Sequence, residues 1–292
     1  MRDRTLKWIL VLPAVLVVAA TALWPLAYSA VLSFRQWRLS RSSRPQGWVG
    51  TDNFENAFAS PDVLGAALNT VLFVGLTVAL TTLLALGLAL LLSRGGPLRR
   101  MVQALLILPF AMSPALVGVS WRFLFHPEFG AFAALAGTVF PPLAGVNWLA
   151  SPVLAFAALV MADVWAWTPF MTLILIGGLA SVPRDTVEAA SVDGAPGWRV
   201  VAEIIVPQLA PVLAVVVILK TIFAMKSFDV IFMLTQGGPG NATRTLVYET
   251  YMNGFRYFDM GFAAALAWLM VVPMLALTFL YARFVFRRAS GA

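Results

Sequence analysis

Ser181-Val182-Pro183-Arg184-Asp185-Thr186-Val187-Glu188-Ala189-Ala190-Ser191-Val192-Asp193-Gly194-Ala195-Pro196-Gly197-Trp198-Arg199 is a polar stretch with long apolar runs on either side. Its local chemistry predicts two short helices around a tight turn. Ser181 is placed to cap, Pro183 suits a first turn, and Asp185 and Glu188 suit the positive start of a helix. Gly194 is able to take the left-handed conformation that ends a helix. Pro196 restarts the chain, and a second helix is expected from Trp198 to Val206, ahead of Pro207. By composition alone the stretch also reads as an amphipathic connector lying on a membrane. A plain connector, however, needs no tight glycine turn.

The flanking runs decide the class. A membrane-crossing helix needs about 20 mainly apolar residues. Ser151–Gly177 qualifies upstream, interrupted only by Asp163, and Gln208–Phe228 qualifies downstream, interrupted by Lys220 and Lys226. Further out lie Trp8–Phe34, Val63–Ser93, Met101–Trp121 and Phe262–Phe286. The expectation is therefore an all-α membrane protein with six spans, approximately 8–34, 63–93, 101–121, 151–177, 208–228 and 262–286, and a polar helix–turn–helix at 180–207. Trp8–Phe34 is too long for a signal-peptide core and reads as an uncleaved helix. Phe129–Leu149 is uncharged as well, but Gly130, Gly137, Pro141-Pro142 and Gly145 break it into a re-entrant or interfacial loop.

Composition agrees. Of 292 residues, 61% are hydrophobic and 11% charged, and the mean hydropathy is +0.87. A soluble domain carries about a quarter charged residues, so a soluble enzyme is excluded in practice. The net charge is +7, but the cations cluster at the ends of apolar runs. They set topology and do not mark a nucleic-acid surface. There is no Cys and a single His, His126. That removes thiol chemistry and leaves little for a metal centre or a His-based triad. No long linker divides the chain, so 1–292 reads as one domain. Dense cations in the N-terminal tail, at Arg94–Arg100 and at Arg283–Arg288 place both termini in the cytoplasm. Arg35, Arg38, Arg41 and Arg44 run against that orientation.

Glu188-Ala189-Ala190, then Asp193-Gly194-Ala195, then Ile204, Pro207 and Pro211, resembles the EAA loop of ABC-importer permeases. Val201 departs from it, because relatives often carry Phe there. Phe228–Pro239, ending in Gln236-Gly237-Gly238-Pro239, resembles the outer loop of carbohydrate permeases of the maltose-permease type. Tyr251–Leu266 and Trp165-Ala166-Trp167-Thr168-Pro169-Phe170 continue that likeness. It implies a type I importer permease in a bacterial cytoplasmic (inner) membrane. It also implies that the EAA loop, with Glu188, Ala189, Ala190, Asp193, Gly194 and Ala195, docks into a separate ATPase. The chain has no Gly-x-x-x-x-Gly-Lys-Ser/Thr phosphate loop. So Mg-ATP belongs to a partner ATPase dimer, and this chain carries no cofactor and no catalytic residue. The other implied partners are a second permease, usually a different homologous chain, a periplasmic or lipid-anchored solute-binding protein, membrane lipid, and a sugar or sugar-like solute. Nucleic acid is not among them.

Ionisable groups inside a membrane are costly, on the order of 3 kcal/mol at a helix centre, so Asp163, Lys220 and Lys226 need a reason. Asp163 pairs with Lys220 or with Lys226. Lys226 lies near a span end and is placed to snorkel. In sugar permeases of this type, substrate contacts surround the Pro of the fourth span and follow one face of the fifth. The resemblance carries these onto Ala166, Trp167 and Phe170, and onto Lys220, Phe223, Ala224 and Ser227. The last four are spaced i, i+3, i+4 and i+7, as on one helical face. Core packing produces the same spacing. A membrane enzyme lacks the converging groups it would need. A membrane scaffold without transport activity explains the helices but not the EAA spacing.

Overall fold

The computed structural model describes residues 11–93, 96, 99–141 and 145–289. They are almost wholly helical. Five helices are long and apolar enough to cross a membrane: α1 (Val11–Ser33), α3 (Pro61–Ser93), α7 (Pro152–Leu179), α9 (Gly197–Met225) and the Met260–Tyr281 part of α12 (Met260–Ala289). A sixth crossing is available if α4 (Arg99–Ala111) and α5 (Pro114–Leu124), bent by 97°, count as one. Shorter helices are α2 (Asp52–Ala59), α6 (Ala131–Val139), α8 (Arg184–Val192), α10 (Asp229–Leu234) and α11 (Leu246–Tyr251). Large side chains such as Leu83, Val153 and Phe279 stay exposed. Lipid accepts such a surface and water does not. The fold is an all-α, multi-pass membrane architecture.

The chain forms two compact units, one from residues 11–64 with Glu249–Val272, the other from Gly65–Tyr248 with residues 273–289. In the first unit, the end of α1 is stitched to the start of α12. Trp37 O accepts hydrogen bonds from the N–H groups of Met260 (2.8 Å) and Gly261 (3.2 Å). Arg38 Nε pairs with Asp259 Oδ2 at 2.8 Å. Asn53 Nδ2 donates to the carbonyls of Ser33 (2.9 Å) and Arg35 (3.0 Å), and the Phe34 ring lies between Trp48 and Phe54. A Cβ on Gly261 would fall 2.2 Å from Arg35 O, so only glycine permits the approach.

The second unit centres on α3, α7 and α9, where Ala85, Ala89, Met171, Leu175 and Val216 form a buried core. Small residues on α3 let the other two helices come close. Thr77, Thr168, Thr172 and Thr221 return their hydroxyls to carbonyls four residues back, which satisfies them without a second helix. Helix α10 lies on α5, where Gly118 meets Val230 and Met233. The loop after α10 is closed by Thr243 Oγ1, which donates to Gly238 O at 2.8 Å, and by Tyr248 OH, which donates to Gln236 O at 2.7 Å.

Three expectations change. The run Met101–Trp121 is not one straight helix. Ser113 precedes Pro114, which drives its backbone extended (φ −65°, ψ 146°), and its Oγ accepts from Leu116 N–H to start α5 afresh. Within 129–149, residues 131–139 form the helix α6. Residues 142–144, including Pro142, lie outside the described part. Finally, the helix expected to stop before Pro207 continues through it. A wide turn, Val200–Ile205, ends with Val206 N–H bonded to Val201 O. Pro207 therefore meets a loosened turn and not a regular four-residue ladder.

Candidate functional site

Helix α7 carries two unlike faces. Val160, Met161, Val164 and Trp165 line an apolar cavity of about 830 Å³ with Leu76, Leu80, Leu84 and Leu88 of α3, Leu106 and Pro109 of α4, and Trp121 of α5. It offers almost nothing that a polyhydroxylated ligand can bond. The other face carries Asp163, Trp167 and Phe170, spaced so that they stack along one side of the helix.

On that face the sequence-derived candidates meet. The Trp167 ring stacks on Phe223 of α9, with centroids 4.2 Å apart and planes 20° apart. Phe170 stacks on Phe110 of α4 at 4.4 Å and 7°, and Phe110 also meets Trp167 edge-on at 5.7 Å. Lys220 Nζ lies 5.6 Å from the Trp167 centroid and donates to Asp163 Oδ2. Both ends of this ion pair are buried, Lys220 at 0% exposure and Asp163 at 1%. Asp163 Oδ1 has no hydrogen-bond partner among the described residues. The result is a four-ring aromatic panel backed by a charge-neutral pair.

Other candidates fall elsewhere. Ala166 and Ala224 are buried. Ser227 does not continue the Lys220–Phe223–Ala224 face, because α9 ends at Met225 and Ser227 lies in the turn beyond it. Lys226 is exposed, with Nζ 6.0 Å from the Phe223 centroid, as expected of a snorkelling side chain. Phe110 escaped the sequence reading. It sits in the middle of an apolar run beside Pro109, and nothing in its spacing separates it from a lipid-facing ring.

The polar stretch between α7 and α9 has the expected turn. Gly194 takes φ +73°. Ala195 N–H bonds to Ala190 O at 3.0 Å and Gly194 N–H to Ser191 O at 3.2 Å, the paired bonds that close a helix through a left-handed glycine. Two details differ from expectation. Ser181 does not cap α8. Its Oγ donates to Gly178 O at 2.7 Å and closes the end of α7. Glu188 is not in the first turn of α8, which holds Asp185, so the helix-dipole argument applies to Asp185. Glu188, Ala189, Asp193 and Gly194 are exposed, and Ala190 and Ala195 are half-buried. Val192 and Trp198 flank the turn at 87% and 67% exposure. No group of three or more His, Cys, Asp or Glu side chains placed to hold a metal occurs among the described residues.

Comparison with known proteins places this geometry. The chain is 35% identical over 100% of its length, and 92% of the relative's, to a probable ABC transporter permease protein, y4oQ, of Sinorhizobium fredii. It is 32% identical to the sulfoquinovosyl glycerol transport system permease protein SmoG of Agrobacterium fabrum, over 97% of this chain and 91% of that one. It is 33% identical to the trehalose/maltose transport system permease protein MalF of Thermococcus litoralis, over 96% and 93% respectively. Its fold matches a chain from the crystal structure of a bacterial ABC transporter involved in import of the acidic polysaccharide alginate. The TM-score there is 0.84 and the identity 20%, over 98% of this chain and 96% of that one. Residues 60–290 match the family described as binding-protein-dependent transport system inner membrane component. The chain belongs to that family: it is a non-catalytic, membrane-embedded permease subunit of an ABC importer, a complex that includes an ATPase and a solute-binding protein.

Proposed function

We propose that this permease carries a sugar or sugar-like solute along the aromatic panel, and that residues Glu188–Ala195 receive the ATPase's movement. One observation carries the reading: the turn at Gly194 lies on the segment that links α7, through α8, to α9, and α7 and α9 hold Trp167, Phe170 and Phe223. Displacement of the turn reaches the panel along α9 on one side and through α8 and the short turn at residues 180–183 to α7 on the other. Aromatic rings pack on the C–H faces of sugars, and two of the relatives named above carry sugar solutes in their names. Val192 and Trp198 are exposed beside Gly194, where a docked ATPase would cover them.

In this reading the whole chain works as one permease domain with six crossings, the bent α4–α5 pair forming the third, and the Gly194 turn and both termini lie in the cytoplasm of a bacterial inner membrane. It supplies half of the pathway beside a second, homologous permease. A dimer of ATPase subunits holds Mg-ATP, and a periplasmic or lipid-anchored binding protein delivers solute. The test is uptake by Trp167→Ala and Phe170→Ala proteins assembled with their partners. Both should lose most uptake while the ATPase still co-purifies. Unchanged uptake in both would remove the panel from the pathway.

A further inference from the structure

The first unit holds a group of cations that neither the topology nor the aromatic panel uses. Arg35, Arg38, Arg41 and Arg44 recur at every third residue after α1, and Arg256 stands four residues before α12. On the outer side such residues run against the charge rule that sets topology, so their presence there needs another cause. The fold accounts for Arg38, which pairs with Asp259, and Arg35 is half-buried. Arg41, Arg44 and Arg256 are exposed and form no ion pair among the described residues.

The segment that carries Arg41 and Arg44 is held as a hairpin. Gln36 N–H donates to Gly47 O (3.1 Å), Gln46 N–H to Gln36 O (2.8 Å) and Val49 N–H to Phe34 O (3.0 Å). Trp37 Nε1 closes the tip by donating to Ser42 O at 3.1 Å. Leu39 N–H donates to Phe258 O at 2.9 Å, two residues from Arg256, and the exposed Tyr257 lies between them in sequence. Residues 38–48 contain no acidic side chain. The neighbouring carboxylates, Asp52 and Glu55, are on α2, which packs at the base of the hairpin through Asn53, and Glu55 accepts from Thr51 Oγ1. The tip is therefore a fixed cationic surface. Lipid phosphates at a membrane boundary are met by freely moving side chains and need no such frame. A surface set before its partner arrives loses little freedom on binding. Arginine also offers a planar fork that a carboxylate meets with both oxygens.

We propose that the hairpin tip, through Arg41 and Arg44 with Arg256 and Tyr257 beside them, is a docking surface for an acidic rim on the solute-binding protein. This rests on the topology given under the proposed function, which puts the end of α1 and the start of α12 outside. The binding protein must arrive and leave once in every cycle. Exposed charge suits that duty, because it speeds encounter over a distance without the slow release of a large apolar contact.

The measurement is binding of the importer's own solute-binding protein to the complex of this permease, its second permease and the ATPase, in phosphatidylcholine discs. Arg41→Glu with Arg44→Glu should weaken binding about tenfold or more, chiefly through slower association. Raising sodium chloride from about 0.05 M to about 0.3 M should weaken wild-type binding severalfold and that of the double variant far less. Arg41→Lys with Arg44→Lys keeps the charge and supplies amines. A carbodiimide, which joins an amine to a carboxylate as an amide and itself takes up the water, should then couple this permease to the binding protein more than in the wild type. Should the Glu variant fail to insert, Arg41→Gln with Arg44→Gln carries the same expectation at a severalfold loss. Unchanged binding by the Glu or Gln variant, or no added coupling by the Lys variant, overturns the proposal. So does a Gln variant that inserts but loses the second permease, which would assign the tip to that subunit. An effect seen only when phosphatidylglycerol is added to the discs would make the tip a lipid site and likewise overturn it. Labelling separates this failure from that of the topology. A cysteine at Ser42 that an impermeant reagent reaches from outside, together with unchanged binding, removes this surface alone. One that is reached only from inside removes the topology and the surface together.

Discussion

Gly194 illustrates how much a single residue decides. Its φ of +73° costs a residue with a Cβ roughly 1 kcal/mol, yet no atom lies within 4 Å of where that Cβ would stand. Gly194→Val should therefore leave the permease folded and inserted, with a fall in stability of only about 1 kcal/mol. If the turn seats in the ATPase, uptake should nevertheless be abolished, because the added bulk points at the partner and not at this chain. Glu188→Ala, which alters an exposed side chain six residues earlier, should weaken coupling less. Uptake measured beside ATPase co-purification separates these outcomes, and normal uptake by Gly194→Val at wild-type abundance would rule the turn out as the coupling element. This turn was legible in the sequence because its chemistry is local: glycine follows a short helix, and proline follows glycine. The partner of Asp163 was not. Lys220 and Lys226 are both within one helix-length of it, and only the pitch and end of α9 settle that Lys220 turns inward and Lys226 outward.

At the scale of elements, apolar runs located the crossings but not their shape. Hydrophobicity is continuous across Met101–Trp121, so it hides the 97° break. The signal was Ser113-Pro114, a capping residue before a proline. The same limit concealed Phe110, whose place beside Phe170 depends on where α4 ends. Pro207 misled in the opposite sense, since a wide turn upstream absorbs a proline that ordinarily stops a helix. Packing between α5 and α10 leads to a sharper expectation. A Cβ on Gly118 would stand 2.7 Å from Met233 Cβ and 3.2 Å from Val230 O. Backbone cannot yield as a side-chain tip does, so Gly118→Ala should destabilise the protein by about 1–3 kcal/mol. A lowered thermal midpoint of the detergent-purified protein would register this. Gly75→Ala, where nothing lies within 4 Å, serves as the control and should leave the midpoint unchanged or slightly raised. Equal midpoints for the two variants would mean that α10 is not held against α5 in the membrane.

For the whole molecule, orientation rests on cation density, with Arg35, Arg38, Arg41 and Arg44 in opposition. The structure explains part of that opposition: Arg38 is committed to Asp259, so it serves the join between α1 and α12 and is not free topological charge. A cysteine introduced at Ser42 should react with an impermeant thiol reagent added from outside intact cells, and one at Ser191 should not. The reverse pattern would invert the proposed topology and take the Gly194 turn out of reach of the ATPase.

The stitch between Trp37 and Met260–Gly261 has an arithmetic consequence. It fastens the residues just after one crossing to the first residues of another, so α1 arrives at the membrane face from which α12 departs. If both helices cross, the start of α1 and the end of α12 lie on the opposite face, the same one for both. A path that begins and ends on one side of a sheet must pierce it an even number of times. Parity thus favours counting the kinked α4–α5 pair as a full traverse and disfavours a five-span chain, by an argument that uses no hydropathy and no charge.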